Sequence, residues 1–362
     1  MIVTDVSLNN FLSYESEKVT FAKGLNIVYG ANAAGKTNLI DSIYLCSLGR
    51  SSRHSRDKEL INWKAPAAGF GVELKVEKRF STHTVAITAD EQGKKRVTVD
   101  RLPVQRIGEL MGVVNVVFFS PQVIGLVREA PADRRRFMDM GLCQQSKTYF
   151  YTLQRYNALL QQRNKLLKTY KGRASLDSML EVVDSEMIRT AAFIIKERAK
   201  FIAKLKPYAV NEHYKLTDGA EEFSVSYETE AVDPDNPEEG LRRLAASSRS
   251  DDLRLEYTTV GPHRDDLKLS VSGVDLRKFG SQGQQRSAVL SLKLAEIASF
   301  RARTGETPVL LLDDVLSELD EKRRNALFNA IDGIQTIITC TEPAEFDGAT
   351  YFEVKNGHCT RK

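Results

Sequence analysis

The plainest chemical signal in the 362-residue chain is "GANAAGKT", Gly30 to Thr37. It follows the apolar run "LNIVY" and precedes "NLIDSIYLC", whose apolar residues have helical spacing, so it stands in the strand-loop-helix setting that a Walker A loop requires. In that setting the backbone of Gly30, Ala31, Asn32, Ala33, Ala34 and Gly35 and the helix N-terminus surround phosphate oxygens. Lys36 reaches the β and γ phosphates, and the Thr37 hydroxyl binds magnesium. A second signal, "PVLLLDD", is a strand of buried character ending in two carboxylates, as a Walker B strand does. Asp313 is the metal-side candidate, because magnesium takes hard oxygen ligands. Asp314 is the candidate for polarising an attacking water, and its reach is shorter than that of the glutamate many such ATPases place there, which points to slow turnover. Gln122, after "VVFFSP" at the end of a core strand, stands where a glutamine could contact magnesium and water; a lone loop glutamine is otherwise polar surface. ATP with Mg2+ is the cofactor pair these residues imply.

The stretch "KFGSQGQQRSAV", Lys278 to Val289, has glycines and Ser281 ahead of a helical pattern. A helix start of this kind favours an anion, since its first N–H groups are unpaired and the helix dipole is positive there. The plainer reading is a serine N-cap. The chain holds a complete phosphate loop elsewhere, and this segment precedes the Walker B strand by one helix. That order is found in one superfamily of ATPases, and this resemblance tilts the balance toward the anion reading.

Net charge is only +4 but unevenly spread. Basic residues crowd the segment from Arg128 to Arg173 against few acids, and Arg134, Arg135, Arg136, Arg155, Arg163 and Lys165 are the candidates for DNA phosphates. Three consecutive arginines at a helix start oppose the dipole there; the alternative is a solvated face. The segment carries no sequence-reading module such as a zinc finger or RRM, so shape-directed binding is expected. "GPHRDD", with His263, Arg264, Asp265 and Asp266, reads better as a salt-bridged turn than as a metal or acid-base site.

The elements that must position these groups are an α/β body with an antiparallel meander, "FGVELKVEKRF", "HTVAITAD" and "KKRVTVD", after the phosphate-loop helix. From about Asp133 the period becomes helical, with a hairpin of ordinary helix length broken near "KGRAS". The acidic "AVDPDNPEEG" marks a loop, with a shorter helix from Pro237. The expected division is a body over 1–125 and 255–362 and a helical insertion over 126–254. The four cysteines form no CxxC pair, no apolar run is long enough for a membrane span, and the start is too polar for a signal peptide, so a reducing cytoplasm is expected.

Walker A, a long insertion, a serine-glycine-glutamine helix start, and Walker B followed by "SELD" together resemble the ATP-binding-cassette heads of the SMC and Rad50 type, and most closely the RecF family. "LNNFLSY", "DKELI", "FFSPQVIGLVREAPADRRRFMD", "GPHRDDL", "SQGQQR" and "LLLDDVLSELD" carry the resemblance along the whole chain. It implies a P-loop ATPase head that forms a homodimer around ATP, with Ser281 and Gly283 meeting the γ-phosphate held by the other copy's Lys36, and Asp320 at the same seam. It further implies weak, DNA-stimulated ATP hydrolysis that times a clamp at gapped DNA or single-stranded/double-stranded junctions. RecO and RecR would be the partners, in loading of RecA during repair, replication restart and the SOS response. Two departures stand out: "TIITCTEP" offers Thr339 and Thr341 where transporter ATPases carry a histidine, and the insertion lacks a long coiled coil. The rival readings are a transporter-type ATPase subunit and a structural SMC-like protein that binds ATP without turning it over.

Overall fold

The computed structural model describes residues 1–171, 173, 175–230, 233, 236–343 and 346–362, apart from the side chains of Gln122 and Ile124. The chain forms two compact units, one of residues 1–124, 215–219 and 289–362 and one of residues 125–214 and 220–288.

The first unit contains two six-stranded sheets. One is antiparallel, in the order β2-β1-β4-β5-β6-β7, from β1 (Ile2–Phe11), β2 (Tyr14–Thr20), β4 (Phe70–Glu77), β5 (Thr82–Ala89), β6 (Lys95–Val99) and β7 (Leu102–Pro103). Its β4 alternates buried Phe70, Val72, Leu74 and Val76 with more exposed residues, the period of a strand with one covered face. The other has the order β15-β14-β3-β13-β12-β8, from β3 (Leu25–Tyr29), β8 (Val116–Phe119), β12 (Val309–Asp313), β13 (Thr336–Cys340), β14 (Thr350–Lys355) and β15 (His358–Arg361). All its pairs are parallel except β14 with β15. Every residue of β12 and β13 is buried, as continuous apolar strands of a parallel sheet require.

Between these sheets runs α1 (Lys36–Leu48), which packs on strands of both. Leu39, Ile40, Ile43, Tyr44, Leu45 and Cys46 are buried around its whole circumference, the pattern of an internal helix. The unit is completed by the α10 helix (Glu321–Ala330) and the C-terminal part of α9 (Gln282–Thr304).

The second unit holds α2 (Gly125–Arg128), α3 (Pro131–Gln145), α4 (Lys147–Thr169) and most of α5 (Leu176–Thr217). It also holds β9 (Phe223–Glu228), α6 (Pro237–Ser247), α7 (Arg249–Leu255), β10 (Asp266–Val271), β11 (Val274–Asp275) and α8 (Leu276–Phe279). The hairpin α4/α5 breaks where the sequence indicates, but α5 is 42 residues long, well beyond the ordinary length expected. Leu167, Leu176 and Leu180 close the end of the hairpin, with Leu253 packed against them. The unit is not purely helical: β11, β10 and β9 form a three-stranded sheet. Because β10 pairs with β9, the unit extends to Ala288, later than the break near residue 255 expected from sequence.

Candidate functional site

The phosphate-loop residues lie between the end of β3 and the start of α1. Gly30, Ala33 and Gly35 all have positive φ. At Gly30 a side chain would drive a Cβ to 2.2 Å from the Val354 carbonyl oxygen, so the loop passes β14 too closely for any residue but glycine. At Gly35 a Cβ would come within 2.7 Å of Ser13 Oγ. The turn between β1 and β2 supports this point directly: Tyr14 Oη donates to the Gly35 carbonyl at 3.0 Å, and Asn38 Nδ2 donates to Ser13 Oγ at 2.9 Å. Burial pushes the Tyr14 hydroxyl far above the ordinary tyrosine range, so it stays a donor. Lys36 Nζ donates to the Gly30 and Ala31 carbonyls at 2.6 and 2.8 Å, which holds the ammonium inside the loop.

The two halves of the site meet at one carboxylate. Thr37 Oγ1 donates to Asp313 Oδ1 at 2.9 Å, and Thr339 Oγ1 donates to the same oxygen at 2.8 Å. Asp314 follows with φ 54, a left-handed conformation that its backbone N–H secures by donating to Thr339 O at 3.2 Å and Oγ1 at 3.0 Å. The Asp314 carboxyl is held above the usual carboxylate range, first by partial desolvation and then by the charge of Asp313, with Lys36 acting against the shift. A hydroxyl and a carboxylate oxygen side by side, under a loop with an ammonium and a helix N-terminus, form a donor set suited to a triphosphate and a hard divalent cation. The residues therefore fit Mg2+ and ATP. Gln122 is placed in the turn after β8, and its side chain lies outside the described residues.

Ser281 is the N-cap of α9. Its Oγ accepts from Gln284 N at 3.2 Å while Gln284 Oε1 accepts from Ser281 N at 3.0 Å, a capping box. Gln285 is buried and donates to the Leu276 and Gly280 carbonyls at 3.0 and 3.1 Å, which fixes the approach of the chain to the cap. Gly283 lies in the first turn of the helix. Asp320 is exposed and caps α10, accepting from Arg323 N at 2.9 Å; that bond and the Arg323 guanidinium hold its carboxyl below the usual range.

The basic segment divides into two groups. Arg134 is 2% exposed and grips Asp266 with Nε at 2.6 Å and Nη2 at 2.9 Å, and Arg163 is 1% exposed between Asp184 at 2.6 Å and Asp252 at 2.5 Å. Neither reaches solvent, which corrects their reading as DNA contacts: they neutralise carboxylates inside the second unit. Arg135 is half-buried and donates to the Asp265 carbonyl, and Arg155 is exposed but forms a bidentate pair with Glu186. Arg136, Lys147, Lys165, Lys168 and Arg173 are exposed.

"GPHRDD" is a structural turn. Asp265 lies 3.6 Å from Arg198, which also grips Asp139 and donates to the Pro262 carbonyl at 2.6 Å. His263 bonds Tyr156 Oη at 2.6 Å and the Thr258 carbonyl at 3.1 Å. Among the described residues no group of three or more His, Cys, Asp or Glu is placed to hold a metal ion, and no helix is long and apolar enough to cross a membrane. Sequence reasoning assigned no role to Ser13, Tyr14, Asn38 or Gln285. Hydroxyls and amides in turns carry no periodic signal, and only "LNNFLSY" and "SQGQQR" as whole motifs pointed there.

The sequence profile of the family described as "RecF/RecN/SMC N terminal domain" matches residues 2–355. A relative from Lachnoclostridium phytofermentans, named DNA replication and repair protein RecF, is 43% identical over 346 residues, covering 96% of this chain and 94% of its own. Another of that name from Acetivibrio thermocellus is 43% identical over 356 residues, covering 97% and 96%. A solved structure of "the recombination mediator protein RecF-ATPrS in RecFOR pathway" superposes with a TM-score of 0.92 at 34% identity, covering 99% of this chain and 98% of that one. The Smc head domain of Pyrococcus furiosus superposes at 0.57 with 15% identity, covering 99% and 95%, a likeness of fold alone. The chain belongs to the RecF/RecN/SMC family, in its RecF branch, with the fold of an ABC-type ATPase head.

Proposed function

We propose that the protein is an ATP-dependent DNA-binding protein of replication and recombinational repair, in which ATP closes a homodimer on DNA and hydrolysis opens it. The observation that carries this reading is the junction of Thr37 with Asp313, which joins the phosphate loop to the end of β12 in one oxygen cluster. Mg2+-ATP bound there supplies a γ-phosphoryl group open to in-line attack by water. Gly30 to Gly35 offer backbone N–H groups, Lys36 offers the ammonium, Thr37 and Asp313 would hold the cation with Gln122 beside them, and Asp314 would orient the water. Ser281, Gly283 and Asp320 of a second copy would complete each site, so a lone chain has half of what turnover needs.

The exposed basic residues of α3 and α4, with Arg136 and Lys165 foremost, would engage phosphates without reading bases. Relatives named DNA replication and repair protein RecF, and a neighbour described as a recombination mediator in the RecFOR pathway, support a role in DNA replication and repair with RecO and RecR as partners. Within that reading the target would be gapped or junction DNA, and the protein would help load RecA during replication restart and the SOS response. The first unit, which holds the phosphate loop and Asp313, would serve ATP, and the helices of the second, expected from sequence over 126–254 and compact through Ala288, would serve DNA.

ATPase rate against protein concentration, with and without DNA, tests the reading. Rate per chain should rise with both. Lys36→Met and Ser281→Arg should each be inactive alone, and an equal mixture should regain up to about one quarter of wild-type activity, because random pairing leaves half of the dimers with one intact composite site. A Ser281→Arg chain that turns over ATP normally would sink the shared site.

A further inference from the structure

We propose that the Thr339 hydroxyl is a positioning group for both carboxylates at the end of β12, an inference that rests on the ATPase reading of the site. Thr339 is fully buried on β13, opposite Asp313 in parallel register. Its Oγ1 does two things at once: it donates to Asp313 Oδ1 at 2.8 Å and accepts from Asp314 N at 3.0 Å. Valine would fill the same volume and suit the strand equally well, so packing alone does not call for a hydroxyl here.

The donated bond acts on Asp313. With Thr37 Oγ1 also on Oδ1, two hydroxyls fix the rotation of this carboxylate, and among the described residues nothing donates to its Oδ2. The carboxylate is thereby presented in one orientation, with one oxygen committed and the other open to a cation or its water. The accepted bond acts on Asp314. The left-handed backbone there is uncommon for a residue with a side chain, and the N–H bond to Thr339 Oγ1 and O stabilises it, which sets the direction in which the Asp314 side chain leaves the strand. One buried hydroxyl thus ties the geometry of the cation ligand to that of the water-orienting group.

Thr339→Val removes the hydroxyl and keeps the shape, while Thr339→Ser keeps the hydroxyl and drops a methyl. The purified full chain should be assayed for kcat and KM for ATP, for the Mg2+ concentration that gives half-maximal rate, and for nucleotide affinity in EDTA. Thr339→Val should lower kcat and raise the half-maximal Mg2+ concentration, with a combined loss of about 10- to 100-fold typical of a group that orients a metal ligand. Its affinity in EDTA should match wild type. Thr339→Ser should restore both quantities to near wild type, and Thr339→Ala carries the same expectation as valine if the valine chain does not fold. Wild-type kcat and Mg2+ dependence in Thr339→Val, or equal impairment in Thr339→Ser, would overturn the inference, since packing would then be the cause. A wild-type protein without Mg2+-dependent turnover would overturn the ATPase reading itself, and this inference with it.

Discussion

At the scale of single residues, the backbone decides which side chains can serve. Asp314 sits at φ 54, where aspartate and asparagine are several-fold enriched and longer side chains are not. The short carboxylate in place of a glutamate is therefore matched to its backbone as well as to its chemistry. His263 shows the same dependence on surroundings. Burial first, then the nearby arginines Arg264 and Arg135, lower its pKa to about 4, against a bond to the Thr258 carbonyl that raises it. Nε2 must carry the proton to donate to that carbonyl, so Nδ1 accepts from Tyr156 Oη. The native ring refuses a proton that the unfolded chain accepts below its ordinary pKa of 6.5, so stability falls as pH drops from 6.5 toward 4 and levels off below that. The loss amounts to up to about 3 kcal/mol. Denaturant midpoints measured across that window should decline less for His263→Gln than for wild type, and equal slopes would contradict the buried neutral ring.

At the scale of elements, the second unit is fastened by arginines that face inward. Arg163 on α4 binds Asp184 on α5 and Asp252 on α7, and Arg198 on α5 binds Asp139 on α3 beside the His263 turn. Removing one partner leaves Asp252, itself fully buried, without its countercharge. Arg163→Ala should therefore destabilise the unit by about 3–5 kcal/mol, and Arg163→Met by less, as chemical denaturation would read. A loss under 1 kcal/mol would show that the pair contributes little. These partners explain why sequence misjudged the arginines: Asp184, Asp252 and Asp266 lie 21, 89 and 132 positions from the residues they bind. A charge run shows density but not direction. The phosphate loop, the β12 strand and the meander were legible because glycine spacing, apolar runs and period-two alternation are local. β9 was not, since "FSVSYE" is short and its partner strand lies beyond an acidic loop and two helices. The length of α5 was hidden as well, because it continues through Pro207, where a helical pattern ordinarily ends.

At the scale of the whole molecule, modest net charge and a local basic surface predict an interaction governed by salt. With Arg134 and Arg163 occupied by carboxylates, the exposed Arg136, Lys165 and Lys168 are the residues to test. Each change to alanine should weaken DNA binding for all sequences alike and reduce the slope of log affinity against log salt by about 1 if that residue meets a phosphate. An unchanged slope for the triple variant would move the DNA surface elsewhere. Arg155→Ala should have a smaller effect, because its guanidinium already holds Glu186.

The capping box at Ser281 settles the polarity of its hydroxyl. An oxygen that accepts from Gln284 N keeps its single proton pointed away from the helix, so toward any incoming oxyanion it acts as a donor. In the proposed shared site, cap and ligand would draw on opposite ends of one O–H group, so folding could be separated from assembly. Ser281→Asp retains an acceptor for the cap and suits the helix dipole, yet brings a negative charge where the proposed shared site would need a donor. Such a chain should melt at the wild-type temperature or slightly above and still fail to complete a partner's site: a folded protein that has lost its handshake.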